Sequence, residues 1–180
     1  MQSEEIVAIN QDNQAVRSSE RVVVLVDGPQ VAALRMLIGG HDINPGLLLK
    51  LLVGKRTLIR AAWFQAFNPE DQAAIKFLLD FVASNRLFDL ISPGRRDHDI
   101  DAELISDLLE TAFEGQADTI VLVSGDGGYL RPMRIAQKRG LRVEVASTLK
   151  LGDPPPGDME LYRESDSFIE LADHLDDIMG

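Results

Sequence analysis

The chain has 180 residues, no cysteine and a formal net charge of −11. That length is enough for one domain with a real core, and the missing cysteine excludes disulfides and thiolate sites, as suits a reducing compartment. No apolar run reaches membrane-spanning length, and the start MQSEEIVAINQDNQ lacks the basic and apolar regions of a secretory signal, so the expected location is the cytoplasm, away from membranes.

Residues 1–20 are polar without a period and read as a flexible N-terminal tail. Arg21 to Val26 is an apolar β-branched run, a strand that ends in Asp27-Gly28. A helical stretch follows from Val31 to Ile38, closed by Gly39-Gly40. Asn44-Pro45 gives an N-cap with proline in the first helical position, opening a helix through Leu52. Thr57 to Phe64 is a second strand. Asn68-Pro69-Glu70-Asp71 repeats the capping device before a helix whose inward face is Ala73, Ala74, Phe77, Leu78, Phe81 and Val82. Leu87 to Ile91 is a short third strand, and the loop from Ser92 to His98 leads into a helix from Asp99 to Glu114.

Thr119 to Val123 is wholly apolar or β-branched, as a central parallel strand buried on both faces requires. It breaks into Ser124-Gly125-Asp126-Gly127-Gly128, and Tyr129, expected to pack under that turn, opens a helix to Arg139 stopped by Gly140. Leu141 to Ala146 alternates Leu141, Val143 and Val145 inward with Arg142 and Glu144 outward, the pattern of a strand with one wet face. Gly152 to Gly157 is a Pro-rich linker, and Phe168 to Leu171 is a last strand before a short acidic helix. Alternating strands and helices imply right-handed parallel crossovers. The expected fold is α/β, a three-layer αβα sandwich on a mainly parallel sheet of five or six strands. The expected organisation is the tail to residue 20, a domain over 21–148, and a linker with an acidic C-terminal extension over 149–180 that packs on it.

Two buried strands each ending in an Asp-Gly turn put Asp27 and Asp126 at one carboxyl edge, where open α/β sheets bind ligands. The helix between them adds a third acid. At roughly 100° per residue, Ile100, Leu104, Ile105, Leu108, Leu109 and Ala112 share the arc that faces the sheet. Asp101 falls near the middle of that arc and Asp107 just outside its edge, whereas Glu103, Glu110 and Glu114 point to solvent. Two accounts of Asp101 stand. It lies in the first turn, where free amides and the helix dipole favour an acid; or it shares a cation with Asp27 and Asp126, since an unpaired buried carboxylate is costly. Three carboxylates without clustered His or Cys favour Mg2+ or Mn2+ over Zn2+; His41, His98 and His174 are scattered. No D-x-D follows either strand, which argues against phosphatase or Toprim-like chemistry, and no G-x-G-x-x-G follows a strand.

The segments VLVDG, HDIDAELISDLLETA and DTIVLVSGDGGYLRPMRIAQKRGLRVEV resemble the NYN domain group of PIN-like ribonucleases, especially its LabA-like branch. The similarity covers residues 21–147, and FIEL near the end is similar to that branch's closing strand. The resemblance implies a PIN-like fold and metal-dependent endoribonuclease activity. It makes Asp27, Asp101 and Asp126 the catalytic, metal-binding acids, Asp107 a second-rank member, and Ser124 an orienting hydrogen-bond group. Gln30 stands where the family has Asn, and Gly128 where it has a further Asp, so that either Asp107 or Asp99 compensates or the site binds metal weakly. The alternative is a catalytically weakened NYN protein that regulates by binding RNA or a protein partner, with a homodimer as a further option.

RNA also needs basic contacts. Arg131, Arg134 and Lys138 stand at i, i+3 and i+7 on one helix, and Arg95 and Arg96 precede the acidic helix. Both groups are candidate phosphate contacts, the solvated helix face being the plainer account of the first. One of Trp63, Phe64 and Phe67 could stack on a base, while core packing takes at least two of them. The net charge does not oppose this. Residues 1–20 hold four acids and one base and residues 153–180 nine acids and one base, which leaves 16 of each between them.

Overall fold

Strand β1, Arg21–Asp27, is the centre of the molecule, with six of its seven residues buried. The computed structural model describes residues 20–67, 70–92, 97–152 and 156–180, without the side chains of 73, 74, 77, 78, 97–99, 156 and 157. The tail, the Asn68-Pro69 cap, and Arg95 and Arg96 lie outside the described residues.

From β1 the chain runs through helix α1 (Gly28–Leu37), helix α2 (Pro45–Val53), strand β2 (Thr57–Phe64), helix α3 (Gln72–Ser84), strand β3 (Asp89–Ile91), helix α4 (Asp97–Glu114) and strand β4 (Thr119–Val123). A 3-10 turn, Gly127–Tyr129, leads into helix α5 (Leu130–Lys138). Strand β5 (Arg142–Ser147), helix α6 (Pro156–Glu164), strand β6 (Ser167–Glu170), a second 3-10 turn (Leu171–His174) and helix α7 (Leu175–Ile178) complete it. The six strands form one sheet in the order β3-β2-β1-β4-β5-β6, every pair parallel. This is the three-layer α/β sandwich expected from the alternation of elements. No helix among the described residues is long and apolar enough to cross a membrane.

Strand parity assigns the two cores. Val23, Leu25, Ile120, Leu122, Val143 and Val145 pack with Ile100, Leu104 and Leu108 of α4, Met133 of α5 and Leu161 of α6. Val22, Val24, Val26, Val121 and Val123 pack with Val31 and Leu34 of α1, Leu48, Leu49 and Leu52 of α2, Phe81 of α3 and Ile178 of α7. By the same alternation, Asp27 at the end of β1 falls on the α4 side. The chain leaves β1 towards β2 and β3 and returns to β4 on the other flank, so the switch point lies between β1 and β4.

Two local expectations need correction. Glu144 does not face water: it is 8% exposed and ion-paired with Arg56 at 3.0 Å, because α2 and the turn after it cover that face of β5. Val82 on α3 is 47% exposed, while Phe81 points inward against Trp63 at 4.9 Å. Trp63 and Phe64 are buried, so the aromatics at the end of β2 are core, as their spacing suggested for two of the three. Gly28 is required by close approach: a Cβ there would lie 2.6 Å from the Phe64 carbonyl oxygen and 2.7 Å from Trp63 Nε1. Only glycine lets α1 begin hard against the end of β2.

Candidate metal and RNA site

Asp27 has two tasks. Its backbone ends β1, and its side chain caps α1, Oδ1 accepting from the Gln30 amide at 3.4 Å. Its other oxygen, Oδ2, accepts from Ser124 Oγ at 2.9 Å, across the β1–β4 switch point. The Ser124 hydroxyl also accepts from the Asp126 amide at 3.2 Å, so one serine ties the first acid to the turn bearing the other. Asp126 caps the 3-10 turn by accepting from Gly128 N at 2.7 Å.

Tyr129 is the residue whose role the sequence did not disclose. Its ring is 1% exposed and does pack under the turn, but its hydroxyl reaches upward. It donates to Asp101 Oδ1 at 2.8 Å and lies 3.3 Å from Asp27 Oδ2. A single phenol thus joins a carboxylate from β1 to one from α4. Burial together with the charges of Asp27, Asp101 and Asp126 raises the Tyr129 pKa far above that of an ordinary phenol. Two of the acids singled out in the sequence, Asp27 and Asp101, therefore meet at one hydroxyl, and Asp126 is tied to Asp27 through Ser124. The only sequence signal for Tyr129 was its place directly after the SGDGG turn.

The electrostatics carry the cost of that arrangement. Asp27 is 3% exposed, and burial pushes its carboxyl up to about 6, with the Asp101 charge adding to the rise. The hydrogen bonds from Ser124, Gln30 N and Tyr129 act in the opposite direction without cancelling it. No positive group among the described residues offsets that rise. Among the described residues no three acidic or histidine side chains are arranged as a ready cage for a cation. The donor chemistry nonetheless suits a hard divalent ion, being carboxylate oxygen throughout.

The other residues singled out divide. Asp107 is ion-paired with Arg60 of β2, which also holds Asp89 at 2.9 Å, and α4 carries it about 9 Å along its axis from Asp101. The Asp99 side chain lies outside the described residues. Gln30 stands at the edge, its Oε1 3.7 Å from where a Cβ on Gly125 would be. Gly128 is exposed with no positive φ, and a Cβ there would sit 3.1 Å from Asp126 Oδ1. Arg131 and Lys138 are exposed on α5. Arg134, between them, is held by Glu160, at 3.0 Å, and Glu164, which raise its pKa. Helix α6, unforeseen in the sequence, does more than hold Arg134. Asp158 Oδ1 accepts from Gly127 N at 2.9 Å, and the Tyr162 hydroxyl donates to the Gly125 carbonyl at 3.4 Å, bracing the turn that carries Asp126.

The family model described as NYN domain matches residues 21–172, reaching past β6. A crystal structure of a protein of unknown function from Vibrio parahaemolyticus superposes with a TM-score of 0.71 at 20% identity, covering 91% of this chain and 98% of that one. At that identity the likeness shows the shared fold alone. No functionally curated protein matches the chain.

Proposed function

The chain belongs to the NYN domain family, with the PIN-like, nuclease-type fold that this implies, and on that premise we propose that it is a metal-dependent endoribonuclease of the LabA-like type that hydrolyses RNA phosphodiester bonds at its carboxyl edge. The observation that carries the reading is the Tyr129 hydroxyl between Asp27 and Asp101, with Ser124 linking Asp27 to the turn that bears Asp126. Core packing has no need of two acids on one buried phenol. Asp27, Asp101 and Asp126 would hold Mg2+ or Mn2+, which when bound supplies charge stabilisation at phosphate and acidifies water. The protein's own contribution is placement. Ser124 orients Asp27 through Oδ2, the Gln30 amide holds Oδ1, and Tyr129 fixes Asp101 relative to both. Arg131 and Lys138 are the α5 charges left to meet phosphate, since Arg134 is taken by Glu160 and Glu164.

The test is single-stranded RNA incubated with Mg2+ or Mn2+, wild type beside Asp27→Asn. Cleavage that needs the cation and is lost in the variant supports the reading; equal cleavage by both refutes it. The second reading, RNA binding without cleavage, is favoured by one feature: glycine stands at 128, where the family resemblance implies an acid. It predicts RNA binding with weak Mn2+ affinity and no products.

A further inference from the structure

A pocket of about 330 Å³ opens at the same carboxyl edge, on the other side of the Ser124-Gly125 segment from the acids. Its size is at the low end of small-molecule sites. Val31 and Leu34 of α1, with Val123 and Ala146 from the ends of β4 and β5, give it an apolar lining; all four belong to the core on the α1 face of the sheet, whereas Asp27 turns to the α4 face. The polar part of the wall includes Gln30, Ser124, Ser147, Thr148, Asp158 and Tyr162.

Three features narrow what the pocket takes. The Thr148 Oγ1 is buried and has no hydrogen-bond partner among the described residues, and buried hydroxyls in folded proteins rarely go unpaired. Ser147, by contrast, is already engaged with the Tyr162 hydroxyl. Among the described residues no lysine or arginine lines the pocket and one carboxylate does, so a phosphate is disfavoured there and a neutral group favoured. The wall between pocket and acids is a single backbone segment that cannot thicken: a Cβ on Gly125 would lie 2.7 Å from the Tyr162 hydroxyl and 2.8 Å from Ser147 Oγ.

We infer that the pocket receives one unpaired nucleobase of an RNA strand, its faces against Leu34, Leu37 and Leu151 and its edge hydrogen-bonded by Thr148 Oγ1 and the Gln30 side-chain amide. Splayed single-stranded bases are recognised in this manner, by packing of the ring and hydrogen bonds to the edge. The inference rests on the ribonuclease reading and adds the substrate's subsite. A base seated here leaves its adjoining phosphate at the carboxyl edge, one backbone segment away from Asp27 and Asp126.

The experiment compares wild type with Thr148→Val and with Ala33→Phe, an exposed α1 position that lines the pocket and that a larger side chain would fill without entering the core. Fluorescence anisotropy with EDTA present measures binding of A, C, G and U homo-oligoribonucleotides and of an abasic strand. The wild type should prefer at least one homopolymer over the abasic strand by about fivefold, the worth of one net hydrogen bond. Both variants should lose that preference while binding the abasic strand as before. Variants that keep the full preference, or a wild type with none, overturn the inference. A second measurement, chemical-shift change on adding free nucleosides to the full chain, separates the two readings. Shifts at Thr148 without RNA cleavage by wild type would sustain the pocket and sink the nuclease. Cleavage by wild type and both variants, with unchanged base preference, would do the reverse.

Discussion

Replacing Asp27 by Asn removes a buried charge that no positive group among the described residues offsets, and it should stabilise the metal-free protein above neutral pH. The Asp27 carboxyl is raised from 3.8 to about 6. Its sign is fixed by linkage: the folded state holds the proton more tightly than the unfolded one, so stability is fully present below pH 4 and falls as pH climbs through 6. Two units correspond to about 3 kcal/mol at 1.36 kcal/mol per unit. Part of this is returned in the variant, whose amide nitrogen needs a new acceptor. At about 2–4 °C per kcal/mol for a chain of this size, Asp27→Asn should melt several degrees above wild type at pH 7.5, and the gap should close at pH 4. Measuring the difference between the two proteins cancels the other titrations, including those of Asp118 and Glu164, whose lowered pKa values give the opposite slope. Mn2+ should raise the wild-type midpoint by mass action and leave the variant's unchanged. A variant less stable than wild type at pH 7.5, with the same gap at pH 4, would refute an uncompensated charge at Asp27.

Tyr129→Phe leaves the ring packing intact and strips the hydrogen bond from Asp101, so a loss of about 1–3 kcal/mol in urea unfolding is expected; an unchanged midpoint would show that the phenol tethers nothing. Gly128→Asp places a carboxylate beside Asp126 on a backbone with no positive φ, with its Cβ 3.1 Å from Asp126 Oδ1, so it should fold with a small loss of stability and bind Mn2+ more tightly, as calorimetry can read; unchanged affinity means the position faces away from the site. Arg131→Ala should reduce the slope of log affinity for RNA against log salt by about 1. Arg134→Ala should leave that slope where it was, because Glu160 and Glu164 already neutralise it.

What the sequence disclosed was what local pattern controls. The bounds of β2 match the apolar run from Thr57 to Phe64, and Asn44 caps α2 through Gly46 N and Leu47 N as its Asn-Pro signal requires. Asp101 was legible because a carboxylate on an apolar arc is an anomaly that needs a cause. The misses share a different cause. Glu144 reads as an outward residue of an alternating strand until Arg56 arrives from 88 positions away to pair with it. Helix α6 is short, opens at Pro156 and follows a proline run, so its pattern is weaker than its packing, which buries Leu161 and Tyr162. Tyr129 looks like a core aromatic because its ring is one; only tertiary placement gives its hydroxyl two acids.

The C-terminal acids change the meaning of the net charge. As sequence, residues 153–180 are a block of negative charge that would repel RNA from the neutral domain. As structure, several of those acids already have partners. Asp158 caps Gly127, Glu160 and Glu164 hold Arg134, and Asp166 accepts from Val143 N and the Gln137 amide. Glu170 accepts from Leu149 N and Ala172 N, and Asp173 pairs with Lys150. Acids fixed against the domain are not a free tail, although those bonded only to amides keep their charge. One of their effects on RNA is local: Arg134 is withdrawn from the α5 stripe, and Arg131 and Lys138 stay exposed on either side of it. The phosphate contacts of α5 are thereby reduced to two, about 10 Å apart along the helix. Such sparse electrostatics would give weak sequence-independent binding, and base contacts would then matter more to substrate choice than phosphate contacts.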